Sequence, residues 1–505
     1  MLWGFNGKLH TVGRLRPDLT PLRGDAGSLR SIALRIGALA LVATTGGCIL
    51  TKDLPDPALD VPTSYIAPGG KRADAPPKLD WWRGFGSREL TALMEEAQTV
   101  NLDIAAAAER ITQADAQARI TGAALLPSLS GLASSTLSKG STATASNTTG
   151  AITGREIRTF STSLSASYEF DFWGKNRALA LSAEETSNAV RFDREVVALT
   201  TMAAVANAYF QVLASQDRIR TAQSNIASAQ RILDAIKSRL TVGTGNDLEV
   251  AQQESVLANQ RASVPPLRQT LATNINALAL LVARPPESLS VSGGSLNKIT
   301  APRVTPGLPS ELLTQRPDIR RQEAYLASAT ANIGNARAQF FPSIVLTGST
   351  GYQSAALATL FTPQAVFYNV ATSLTQPIFD GARILGNFEL TKARQDELLQ
   401  TYRKTVVSAF TDVDNALVAI RETTERLRLQ REVISASQRA FGLAEQQLRA
   451  GTADIVTVLN TQLTLFQAQD VLSQVQLSRF LAIVSLFQAL GGGWEPRVER
   501  PVNAL

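Results

Sequence analysis

Two patterns of apolar positions succeed one another along the chain, and both occur twice. From Thr159 to Phe172 the alternation has period two. Phe160, Thr162, Leu164, Ala166, Tyr168, Phe170 and Phe172 share one face, and Thr159, Ser161, Ser163, Ser165, Ser167, Glu169 and Asp171 share the other. That is a strand pattern. Tyr368, Val370, Thr372 and Leu374 repeat it more weakly. Ser-, Thr- and Gly-rich stretches at 139–154 and 348–356 read as the hairpin loops. After each strand pair the period becomes seven. Val212, Ile219, Ile226, Leu233 and Leu240 form one series, and Ile420, Leu427, Ile434, Phe441 and Leu448 form another, 208 positions later. A sustained heptad predicts coiled-coil packing, because ordinary helical periodicity drifts away from seven. Neither Gly nor Pro interrupts 175–240 or 387–441. About 65 helical residues make a rod of roughly 100 Å, a length that suits a protein bridging a wide gap.

Each rod ends in a near-identical stretch, "LTVGTGNDLEV" at 240–250 and "LRAGTADIVTV" at 448–458. Both read as the tip of a helical hairpin. Gly243 or Gly451 supplies the left-handed residue that stops the first helix, and a second helix returns. The duplication reaches further back. "NLDI" at 101–104 matches "RPDI" at 316–319, and Leu126-Pro127-Ser128 falls on Phe341-Pro342-Ser343.

The predicted organisation follows. Residues 1–47 are a signal peptide and 48–85 an extended segment. The first repeat is 86–284, with strands at about 126–138 and 158–172 and hairpin helices at about 175–242 and 247–282. A linker covers 285–307. The second repeat is 308–494, with strands at about 341–353 and 366–380 and helices at about 384–450 and 454–490, before a tail at 495–505. The uncharged run Val196–Gln216 is long enough for a membrane helix. Its counterpart from Val406 contains Asp412 and Asp414, so both are read as buried helix packing. The strands are different. Four strands of about ten residues, apolar on one side and small-polar on the other, fit a transmembrane barrel. Four cannot close one, and lipid does not tolerate open edges. If these strands span a membrane, several chains must share one barrel.

Composition narrows the function. The 505 residues are 44% hydrophobic but only 6% aromatic, which favours long helices over a compact enzyme. The formal charge of +6 includes a net +4 from residues 1–47, where six Lys/Arg face Asp18 and Asp25. About +2 remains, which makes no case for nucleic acid. The apolar run "IGALALVATTGG" after Arg30 and Arg35 ends at Cys48, the only cysteine, and reads as an export signal with a lipidation site. The only histidine is His10, within that signal, so the mature chain lacks His-based acid/base catalysis, Ser-His triads and most zinc sites. Two other classes stay open on the residues alone. One is a coiled-coil structural protein. The other is a secreted enzyme using carboxylates such as Asp412 and Asp414.

The chain resembles the TolC-like outer-membrane efflux proteins, in particular their NodT/OprM-type lipoprotein branch. The resemblance rests on "LPSELLTQRPDIRRQEAYLASATANIGNARAQFFPSI" from 308, "YEFDFWGKNR" at 168–177, "RAGTADIVTVLNTQ" at 449–462 and "ALGGGW" at 489–494. It implies a mainly α protein with a membrane β-barrel: a homotrimer, four strands per chain in twelve, above a coiled-coil periplasmic tunnel. It implies a passive duct, not an enzyme, anchored in outer-membrane lipid through Cys48 and needing no cofactor beyond that lipid. The expected partners are a periplasmic adaptor and an inner-membrane pump of the resistance-nodulation-division type. A duct for type I protein secretion is the alternative. Gly243, Thr244, Gly451 and Thr452 are the expected adaptor-docking tips. In the family, acidic residues on the helix after the second tip narrow the pore. Laid on this chain, those places fall at Asp454, Val456, Thr457 and Asn460, with Glu249 on the first hairpin. The expectation is a constriction at Val456 and Asn460, with Asp454 and Glu249 as a weaker acidic ring.

Overall fold

The computed structural model describes residues 54–59, 61, 62, 65, 78–139, 156–302, 304, 307 and 309–494. The predicted signal, Cys48, most of the 139–154 loop and the tail lie outside them. The first repeat contains α1 (Arg88–Val100), α2 (Leu102–Gly122), β1 (Ser128–Lys139), β2 (Glu156–Phe170), α3 (Lys175–Thr241) and α4 (Asp247–Leu281). The second contains α5 (Pro309–Gln315), α6 (Pro317–Ala338), β3 (Ser343–Ser354), β4 (Val366–Thr375), α7 (Arg383–Arg449) and α8 (Ile455–Ala489).

The strands form one antiparallel sheet in the order β1-β2-β3-β4. One loop and one strand expectation need correction. The strand expected at about 341–353 is β3, and the loop read at 348–356 overlaps it: 348–354 is strand. Gly351 belongs there because a Cβ would lie 2.1 Å from the Thr162 carbonyl oxygen of β2. Composition signalled a loop where close strand approach required the glycine. β4 stops at Thr375, short of the expected 380, just before Pro377, which has no N–H for a ladder.

Both long helices have 67 residues, so each runs roughly 100 Å. Near the tips one apolar cluster joins all four hairpin helices. It takes Ile232, Leu233 and Ile236 from α3, Val256 and Leu257 from α4, Leu448 from α7, and Ile455, Val458 and Phe466 from α8. The heptad residues Ile226 and Phe441 pack against it. The uncharged run in α3 is interior. Val205, Tyr209, Phe210, Val212 and Leu213 are buried against Trp81, Phe85, Phe480 and Phe487. Its apolar composition reflects core packing and not a lipid environment.

The "RPDI" and "ALGGGW" stretches meet at the waist. The buried Arg316 donates to both carboxylate oxygens of Asp318 at 3.0 and 2.7 Å, to Asp412 at 3.1 Å and to the Ala489 carbonyl at 3.1 Å. It thereby ties α6 and α7 to the end of α8. Gly491, at φ +84°, passes so close that a Cβ would lie 2.2 Å from the Gln315 carbonyl oxygen. Asp412 is thus spent on structure, which removes it as a free catalytic carboxylate. The segment after Cys48 docks on this repeat too. Arg403 donates to the Pro57 carbonyl at 2.7 Å, and Leu59 packs beside Ile319, Val406 and Ala409.

Candidate functional site: hairpin tips and the tunnel end

The repeated Gly-Thr of the two tips has one physical cause. At the first tip Gly243 takes φ +78° and donates to the Leu240 carbonyl at 3.0 Å, while the Thr244 N–H reaches back to the Arg239 carbonyl at 2.9 Å. At the second, Gly451 takes φ +74° and donates to Leu448 at 3.1 Å, and the Thr452 N–H reaches Gln447 at 2.9 Å. This is the Schellman arrangement, which satisfies carbonyls that a helix end leaves open. Thr adds a second bond through its hydroxyl, to the Arg239 carbonyl at 3.2 Å and to the Gln447 carbonyl at 3.3 Å. A Cβ at Gly243 or Gly451 would meet nothing within 4 Å, so backbone conformation alone selects glycine there. Gly243, Thr244, Gly451 and Thr452 are all exposed.

The returning helices are capped alike. The Asn246 side chain accepts from the Glu249 N–H at 2.9 Å, and Asp454 accepts from the Thr457 N–H at 2.9 Å. Asp454 also accepts from the Thr457 hydroxyl at 2.7 Å. These bonds hold its carboxyl below the usual Asp range. Val456, Thr457 and Asn460 are exposed on the face of α8 opposite the buried Ile455, Val458 and Leu459. The structure therefore brings Asp454, Val456, Thr457 and Asn460 together at one helix start.

Glu249 stands apart. It lies on the other hairpin, largely buried, and one of its oxygens is 3.9 Å from Arg239. Its other oxygen accepts from the Asn246 amide at 3.5 Å. The expected contribution of Glu249 to an acidic ring is accordingly revised. It braces the Asn246 cap through that side-chain amide and faces an arginine across the turn, and Asp454 is the exposed carboxylate of the set. Arg239 was missed by sequence reading, because the partner lies ten residues away around a reversal and matches no helical spacing.

A narrow sheet with two open edges, set on twin helical hairpins whose tips expose matched turns, defines a membrane channel subunit. Comparison with known proteins agrees. The model described as outer membrane efflux protein matches residues 93–284 and 308–492. The chain belongs to the outer membrane efflux protein family. It is 38% identical to the pyoverdine export outer membrane protein OpmQ of Pseudomonas aeruginosa over 478 residues, covering 93% of this chain and 98% of that protein. It is 30% identical to the cation efflux system protein CusC of Escherichia coli over 465 residues, covering 90% and 98% respectively. The solved outer-membrane channel OprN superposes with a TM-score of 0.81 at 26% identity, covering 90% of this chain and all of that one. The fold is that of the trimeric TolC-like channels, with four strands per chain in a shared barrel continuing into a helical tunnel. The chain is an outer-membrane efflux channel protein and not an enzyme.

Proposed function

We propose that this protein is the outer-membrane duct of a tripartite efflux pump. It passively conducts small toxic compounds delivered by an inner-membrane resistance-nodulation-division transporter and a periplasmic adaptor. The observation that carries the reading is the junction of a four-stranded sheet with helical rods of roughly 100 Å, a length fitted to crossing the periplasm. OpmQ, named for pyoverdine export, and CusC, named for cation efflux, favour small-solute export over protein secretion. The exposed tips at Gly243-Thr244 and Gly451-Thr452 are the adaptor-docking points. Val456 and Asn460 form the constriction, with Asp454 as its acidic ring. Lipidation of Cys48 anchors the segment that docks at Arg403.

Deleting the gene should raise intracellular accumulation of small dyes and lower resistance to several toxic compounds, and complementation should restore both. Unchanged accumulation together with a lost secreted protein would point to type I secretion instead. For the anchor, palmitate labelling of wild type and Cys48→Ala decides. Equal label in both contradicts lipidation.

A further inference from the structure

The sheet has two unpaired edges, β1 and β4, and the internal repeat fixes how they meet in the assembly. This inference rests on the shared-barrel reading. Within one chain β1 and β3 are equivalent strands, since Ser128 follows Pro127 as Ser343 follows Pro342. Ser128 pairs with Ser167 of β2, and Ser343 pairs with Thr375 of β4, so Ser167 and Thr375 are equivalent too. The step from β2 to β3 is therefore the template for the step from β4 to β1 of the next copy. In that template Thr162 pairs with Tyr352, Ser165 with Ser349, Ser167 with Thr347 and Phe170 with Ile344.

We propose that β4 of one subunit pairs with β1 of a second copy so that Val370 lies opposite the partner's Leu137. In the same register Ser373 lies opposite the partner's Ser134 and Thr375 opposite the partner's Leu132. The construction carries the parity of the faces with it, and one further observation agrees. The face of β2 bearing Leu164 and Tyr168 continues onto the even-numbered residues of β4 but the odd-numbered residues of β1. Only registers that match even with odd keep the apolar face continuous around the barrel, because a one-residue slip turns every side chain over. The proposed register does so. The further observation is side-chain matching. Val370 (72% exposed) meets a residue of the type and place of Leu137 (59%). A slip of two residues one way would set Val370 against the position of Ser135, and the other way against that of Lys139.

Paired cysteines test it. Cα atoms directly opposite lie within disulfide range, whereas diagonal neighbours are about 7–8 Å apart. The full chain carrying Val370→Cys with Leu137→Cys, oxidised in outer membranes, should give covalent trimers that reductant dissolves. Val370→Cys with Ser135→Cys, or with Lys139→Cys, should give little. Ser373→Cys with Ser134→Cys supplies a conservative lumen-facing pair should the first fold poorly. Single-cysteine variants set the background from Cys48. A trimer that cross-links only through a shifted pair, or through neither predicted pair, overturns the register. Protein that sediments as a monomer before oxidation overturns the shared barrel itself.

Discussion

The two repeats close their waists at equivalent places with different chemistry. In the first, the buried Asn101 donates to the Leu281 carbonyl at the end of α4, at 2.7 Å, and its oxygen caps α2 through the N–H groups of Asp103 and Ile104. In the second, Arg316 occupies the matching position and donates to the Ala489 carbonyl at the end of α8. The difference is reach. The neutral amide joins two helices. The guanidinium also engages Asp412 on α7, where the first repeat has Ala204. The joint is a helix cap in one copy and a charge-assisted, three-way clasp in the other. The return helices diverge in parallel. α8 is buried along much of its length, packing on both α7 and α3, and contains no proline. α4 is mostly exposed and carries Pro265 and Pro266 in its interior. Within one chain the duplicated plan thus yields one buried return helix and one exposed one, and the stronger clasp holds the buried one.

The comparison can be broken most forcefully at Arg316. Arg316→Ala leaves Asp318, Asp412 and the buried Ala489 carbonyl without their shared donor; the loss of charge-assisted bonds to three partners outweighs the partial hydration of the half-exposed Asp412 and is expected to cost about 3 kcal/mol. Thermal dissociation of the purified trimer should fall steeply. A melting curve like wild type would show that the clasp is not what holds α8. Asn101→Ala removes one buried bond and a cap, with an expected loss of about 1–3 kcal/mol. If it destabilises as much as Arg316→Ala, the two waists are energetically equal and the asymmetry is only geometric.

The tips sharpen the likeness of the copies. Gly243→Val and Gly451→Val each force a Cβ into a left-handed residue at a cost of roughly 1 kcal/mol or more. Site-directed cross-linking to the adaptor should drop in both variants. Full efflux and full cross-linking in Gly451→Val would remove the tips as docking points.

The smallest effect is the pH response of the second tip. Bonding to Thr457 depresses the Asp454 pKa, so its cap is complete above the ordinary Asp value of 3.8 and is lost as pH falls through the lower folded value. Amide exchange at the start of α8 should speed up only in that acid range. Asp454→Asn should abolish the dependence, and a loss already complete at pH 5 would assign it to another group.

Much of this was legible in the sequence for a physical reason: periodicity reports burial. The heptads and the Gly-Thr tips reflect one-dimensional rules of helix packing and helix ending, and the structure places the long helices and turns there. Contacts between distant segments left no such trace. Gly351 looked like a loop residue because the Thr162 carbonyl that excludes its Cβ lies in another strand. Glu249 looked like a free acid because Arg239 meets it only after the chain reverses. "NLDI" and "RPDI" aligned as text, yet nothing in either string said that their first residues clasp the far ends of α4 and α8.

The central claim is a passive pore narrowed at the start of α8, and single-channel recording tests it most directly. Purified protein in a planar bilayer under a salt gradient should give discrete conductance steps with weak cation preference and weak block by trivalent cations. Asn460→Asp, adding one carboxylate per subunit around the lumen, should shift the reversal potential toward cations and strengthen the block. No conductance at all would contradict the duct, and conductance with a reversal potential and block unmoved by Asn460→Asp would contradict this constriction.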